Sequence, residues 1–445
     1  MLKLRYYLRL FQAFLSRFKS ILLLSIGVGV FVFLILVFVN PLLFDKKVEK
    51  IGRTGRFTTE NIPNDVLSLV GEGLTKIDEK GNIYPALANS WEFEDDGKTW
   101  IFHLDQQKLW QDGKKVTSDT ISYNFEDVNI ERPNTQTIIF HLKESFAPFP
   151  SVVSTPIFKK GFLGTGQWKV TKLSLVGNYL EYITLQNNSG NKKVIRFYPT
   201  EDQTKIAYKL GEINKIEDVI DPAPLDTWNT ARLTQQIPAN RYVAVFFNMQ
   251  DPLFNDNNSR DRKSFRQALS YAIDKDSLSQ NRALGPISPE SWAFNPQIKD
   301  YSYDKKRADE LLDMTEDAKK STTIKLTTTS TLLPIAEKIV KNWNDLGIKA
   351  SVIVTSGIPT EYQAFLAIYD SPYDPDQYVT WHSSQQATNI SKYASPRIDK
   401  LLEDGRLETD KNARKKIYLD FQRFLLEDAP AAFLYHPVSY TIERK

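Results

Sequence analysis

The chain of 445 residues is 41% apolar and 25% charged, with 22 Pro, 19 Gly and no Cys, which excludes a disulfide scaffold, a zinc–thiolate site and a thiol nucleophile. The formal net charge of +3 is concentrated at one end, because Lys3, Arg5, Arg9, Arg17 and Lys19 precede residue 20 with no acidic neighbour. Setting those five aside leaves 52 basic side chains against 54 acidic ones, so the body lacks the basic stripe that a nucleic-acid partner requires.

Between Lys19 and Asp45 no side chain is charged, and Ser20 to Val39 is almost wholly apolar. Twenty helical residues at about 1.5 Å each span roughly 30 Å, one bilayer crossing. The run ends in bulky Phe38, Val39, Pro41, Leu42 and Leu43, unlike the small-residue site of a cleaved signal peptide. The basic flank predicts a cytoplasmic leader over 1–19, a single membrane-spanning anchor over 20–43, a tether over 44–59 and an extracytoplasmic body.

Residues 66–77 read as a helical or turn-rich segment followed by the turn Asp78-Glu79-Lys80-Gly81-Asn82. Trp91 and Phe93 alternate before Asp95-Asp96-Gly97, and Trp100, Phe102 and Leu104 alternate after it, which predicts a hairpin. A second turn follows Trp110 at Asp112-Gly113-Lys114, and Ile138, Phe140 and Leu142 form a further strand. Thr200 with Gln203 matches a capping box, and Ile206, Ala207 and Leu210 continue at helical spacing to Gly211.

Tyr242 to Asn248 reads as a buried strand, and Phe265, Ala268, Leu269, Ala272 and Ile273 as one face of a packed helix. Residues 322–354 spell a βαβ unit, with Pro334 near the first helical turn and Gly347 at its end. Ala413, Ile417, Phe421, Phe424 and Leu425 mark a last helix closed by Pro430.

The four His are far apart and show no metal-ligand spacing, and there is no dinucleotide fingerprint, phosphate loop or serine elbow. No catalytic residue, metal or cofactor is therefore expected. The segment 369–378 interleaves Asp370, Asp374 and Asp376 with Tyr369, Tyr373, Tyr378 and two prolines, and Trp381 follows. Such a stiff loop offers carboxylates beside flat apolar faces, suited to a cationic amine in a desolvated cleft. The plainer alternative is a solvent-exposed turn.

The order of segments resembles the family 5 extracellular solute-binding proteins of ABC importers, a group that includes dipeptide, oligopeptide and nickel binders. The resemblance rests on Gly73-Leu74-Thr75, the stretch from Pro85 to Trp91, Asp96 to Leu104, Trp110 to Lys114, Gly164-Thr165-Gly166, Phe265 to Lys275 and Asp370 to Asp376. It implies a mixed α/β fold of the periplasmic-binding-protein-like type II, two lobes joined by a hinge. Lobe one would occupy 60–248 with an inserted subdomain over 85–155, lobe two 249–427, and 428–445 would return to lobe one.

The same resemblance implies a monomeric, non-enzymatic receptor that captures short peptides for an ABC permease and its ATPase in trans. A nickel complex or a sensory role without a transporter are the alternatives. In peptide-binding relatives an aspartate before the Asp-Pro-Asp motif clamps the ligand amine. Asp370 is the nearest positional match, Asp374 and Asp376 the alternatives, and Tyr369, Tyr373, Trp381 and Trp292 are candidate pocket walls.

Overall fold

The computed structural model describes residues 16–34 apart from 22, 47–255, 260–315 and 323–445. Ser16–Leu34 is one exposed helix of 19 residues, long and apolar enough to cross a membrane by length and composition. Positions 22 and 35–43 of the expected span, 44–46 of the tether and 1–15 of the leader lie outside the described residues.

Lobe one is built on a seven-stranded sheet in the order Ala231–Gln236, Ser439–Arg444, Lys215–Val219, Val48–Thr54, Lys192–Tyr198, Tyr179–Asn187 and Trp168–Val176. Val48–Thr54 runs parallel to both neighbours, which requires crossover connections. The helix Asn64–Val70 buries Val66 and Val70 with Ile183, Leu185 and Ile195. A second apolar cluster joins Ala207 and Tyr208 of the helix Glu201–Leu210 to Ile216 and Ile442. Thr200 caps that helix through the Gln203 amide, but Ile206 and Leu210 are exposed, contrary to the periodicity reading. The buried residues are Thr204, Lys205, Ala207 and Tyr208, so two polar side chains stand at inward positions.

The inserted subdomain is an antiparallel sheet of four strands, Ala88–Glu94, Thr99–Leu104, Thr137–Leu142 and Val128–Asn134. Asp95, Asp96 and Gly97 all take positive φ and turn the first hairpin. Phe102, Phe140 and Phe149 form its core, with Phe140 and Phe149 ring centres 5.0 Å apart.

Lobe two carries the five-stranded sheet Ala350–Thr355, Ile324–Thr329, Ala364–Asp370, Arg241–Phe247 and Ala431–Tyr435. Ile324–Thr329 and Ala350–Thr355 pair in parallel around the helix Leu333–Asn344, as the βαβ pattern predicts. Trp343 on that helix is fully buried, and its Nε1 donates to the Leu269 carbonyl of the helix Arg260–Ala272 at 3.1 Å.

The lobe boundaries differ from those inferred from the resemblance. Arg241–Phe247 pairs with a strand on each side within lobe two, so it does not cross between lobes, and Ala431–Tyr435 belongs to the same sheet. Six of the seven residues in Arg241–Phe247 are buried, too dry a run for a linker. The crossings are instead the short segments 237–240 and 436–438, which connect strands of the two sheets.

Arg241 ties these crossings together. Its Nη1 meets Asp218 Oδ1 of lobe one at 2.5 Å, its Nε meets Asp370 Oδ1 of lobe two at 2.6 Å, and its carbonyl accepts from His436 Nδ1 at 2.8 Å. Burial works to raise the Asp218 pKa, but bonds from Arg241 and Ser439 outweigh it and hold the group below the ordinary carboxylate value. A depressed native pKa stabilises the fold above about pH 4, and that contribution fades as pH falls further. Asp218→Asn is therefore expected to destabilise the protein at pH 7, with the gap to the wild type narrowing as pH falls below about 4, as read by denaturant unfolding. A gap that does not narrow with falling pH would mean the ion pair is not its source.

Candidate functional site

A cavity of about 580 Å³ lies between the inserted subdomain and lobe two. One wall consists of Trp91, Glu92 and Phe93 on the strand Ala88–Glu94, with Pro148, Pro150 and Ser151. Facing it are Trp292, Asp374, Thr409, Lys411 and Arg414 of lobe two, and the turn residues Gly81 and Asn82 close one side. The lobes touch beside the cavity, where Trp292 Nε1 donates to the Gly81 carbonyl at 3.1 Å and Trp292 N to the Lys80 carbonyl at 3.2 Å.

The Asp-Pro-Asp segment is shaped by its own side chains. Asp374 Oδ1 accepts from the Asp376 amide at 2.9 Å, and Asp376 Oδ1 accepts from the Tyr378 amide at 3.1 Å, two successive side-chain turns that present the loop rigidly. Asp374 then meets Arg414 Nη2 at 2.7 Å, with only 9% and 8% of the two side chains exposed. Arg414 also donates to the Gly405 carbonyl and the Tyr418 hydroxyl. Burial alone would lower its pKa, yet the neighbouring Asp374 carboxylate reverses the direction and keeps the guanidinium charged.

The residues singled out in the sequence separate into distinct places. Asp374 and Trp292 line the cavity. Tyr373 borders a small adjoining depression with Glu79, Ser371 and Gln377. Asp370 is among the lining residues of neither and pairs with Arg241 Nε at 2.6 Å beside the crossing segments, its side chain more than half exposed. Asp376 is bound by Arg406 Nε at 2.9 Å, and burial, only partly offset by that arginine, raises its pKa.

Two of the aromatic candidates belong to the interior. Tyr369 bonds Thr380 and packs against Tyr242 and Phe246. Trp381 is 1% exposed, between Phe246 and Phe433, so it is core and not a pocket wall. Its helix Tyr378–Trp381 turns the ring under the sheet, an orientation that loop composition does not encode.

Arg414, Lys411 and Asn82 were not singled out in the sequence. A trace of Arg414 exists there, since Arg414, Tyr418 and Gln422 recur at intervals of four and form the buried face of the helix Lys411–Asp428. The apolar pattern Ala413, Ile417 and Phe424 lies off that face, while Phe421 and Leu425 lie on it.

A model of the bacterial extracellular solute-binding proteins, family 5 (middle region), matches residues 82–129 and 122–389. The chain is a family 5 solute-binding protein. Among relatives of this solute-binding protein, the oligopeptide-binding protein AppA of Bacillus subtilis is 24% identical over 86% of this chain and 83% of its own. The nickel-binding periplasmic protein of Escherichia coli is 25% identical over 85% of each chain. The structure of NikZ from Campylobacter jejuni in complex with Ni(L-His) superposes with a TM-score of 0.75 at 23% identity, covering 90% of this chain and 94% of that one. The solute-binding protein thus has the two-lobed mixed α/β fold of its family, and its cleft lies largely within the matched segments, with Gly81, Thr409, Lys411 and Arg414 outside them.

Proposed function

We propose that this protein is the extracytoplasmic peptide receptor of an ABC importer, anchored by its N-terminal helix with the basic leader in the cytoplasm. It would act as a monomer, closing on a short peptide and handing it to a permease and ATPase in trans. A fixed tether would keep the receptor at high local concentration beside the permease. The observation that carries this reading is the interlobe cavity of about 580 Å³, within the roughly 300–1,000 Å³ of small-molecule sites. Its walls hold two cations, Lys411 and Arg414, two carboxylates, Glu92 and Asp374, and the faces of Trp91, Phe93 and Trp292. Mixed charge with flat apolar surface suits a zwitterionic peptide with varied side chains. Trp292 and Asp374 are the sequence candidates placed to touch it, with Tyr373 at the edge.

A thermal-shift series on the full chain with di- to pentapeptides tests this. A bound peptide at about one hundred times Kd contributes about 2.7 kcal/mol and is expected to raise Tm by about 3 °C. The second reading is a nickel complex, favoured by the likeness to the NikZ complex with Ni(L-His). A chelated metal brings most of its own ligands, so it asks few of the protein. Stabilisation by nickel with histidine, and by no peptide, would replace the first reading with the second.

A further inference from the structure

Lys411 differs from the other charged groups of the cleft in its partner. Arg414 is paired with Asp374, and Glu92 meets His103 Nε2 at 3.3 Å. Lys411 Nζ instead donates to the Asn82 side-chain oxygen at 2.9 Å and lies 5.1 Å from the centre of the Trp292 ring, and among the described residues it forms no ion pair. The amide is held in that orientation from behind, because Asn82 N and Nδ2 donate to the Asp78 carboxylate at 2.8 and 3.2 Å. Asn82 therefore turns its oxygen, not its nitrogen, toward the ammonium.

An ammonium has three N–H donors, and one neutral acceptor leaves the others and the charge itself for a solute. Lys411 is exposed, so those donors are open to an arriving group, and the Trp292 ring gives a solute a flat face beside the charge. Asn82 comes from lobe one and Lys411 from lobe two, so a group bound at this point touches both lobes at once.

Resting on the peptide reading above, we propose that the Lys411 ammonium, positioned by Asn82 on the face of Trp292, is the docking point for the solute's terminal carboxylate. Glu92, on the subdomain wall, supplies a separate negative group for the amine end. The site then selects free-acid peptides and sets the direction in which they lie.

The test is calorimetry on the full chain with tetra-alanine and its C-terminal amide, for the wild type, Lys411→Met and Lys411→Arg. The wild type is expected to bind the acid at least tenfold more tightly than the amide. Lys411→Met is expected to bind the two alike, with its amide affinity within about twofold of the wild type, and Lys411→Arg to keep the preference. Binding of both peptides without preference, or an equal loss for both in Lys411→Met, overturns this inference and leaves the peptide reading standing. Failure of the wild type to bind either peptide overturns this inference, and the di- to pentapeptide series decides the peptide reading separately.

Discussion

Arg414→Leu is expected to cost about 3–5 kcal/mol of stability, the largest loss from any single substitution in the cleft. The leucine removes the charged partner of a carboxylate that is itself buried and left with the Asp376 amide, since Asp374 is 7% exposed and both its oxygens face the guanidinium at 2.7 and 3.3 Å. Leaving that charge in a dry site is worse than never having placed it there. The same change strips the Gly405 carbonyl and the Tyr418 hydroxyl of a donor, and Tyr418 and Gly405 hold the helices Pro396–Leu407 and Lys411–Asp428 together.

Asp374→Asn in the Arg414→Leu background is expected to recover part of the loss, because a neutral amide tolerates burial better than an unpaired carboxylate. Urea unfolding of the four members of the cycle measures this. Losses that simply add, with no recovery in the double variant, would show that the pair is not coupled in the way its geometry states.

Gly81→Ala is expected to have the largest effect on binding. Gly81 has φ +79°, and a Cβ there would lie 2.5 Å from the Tyr373 carbonyl oxygen and 3.2 Å from Trp292 Nε1, both in lobe two. A left-handed alanine costs about 1–2 kcal/mol by itself. The carbonyl belongs to a braced loop and cannot turn aside, so the added carbon pushes the lobes apart and breaks the Trp292 bonds to Gly81 and Lys80.

Solute affinity is expected to fall at least tenfold, and X-ray scattering with saturating peptide to show a larger radius than the wild type. Gly113→Ala separates the two causes. Gly113 has φ +80° with nothing within 4 Å of its would-be Cβ, so that variant carries the backbone strain and no interlobe clash. Equal binding losses in the two variants would leave strain alone as the explanation.

The turn at Gly81 shows where sequence reading stops. Asp78-Glu79-Lys80-Gly81-Asn82 is legible as a turn from residue type, and the structure adds that its glycine is pressed against the opposite lobe. Asp374 and Asp370 make the same point inversely. Both are acids of one short loop, and composition treats them alike. Three-dimensional neighbours separate them, Arg414 drawing one into the cleft wall and Arg241 holding the other at the hinge.

What the sequence determined on its own was everything carried by local periodicity and turn chemistry. The hairpin at Asp95-Asp96-Gly97, the parallel βαβ unit from Ile324 to Thr355 and the buried face from Phe265 to Ile273 follow from residues a few positions apart. The order of those units was enough to point to the family. Tertiary structure alone decided which lobe holds Arg241–Phe247, why Trp381 is core, and how Asn82 comes to face Lys411 across 329 positions. Local pattern reports whether a side chain is buried on its own element. It carries no record of which distant side chain meets it there, and the electrostatics of the cleft consist of such meetings.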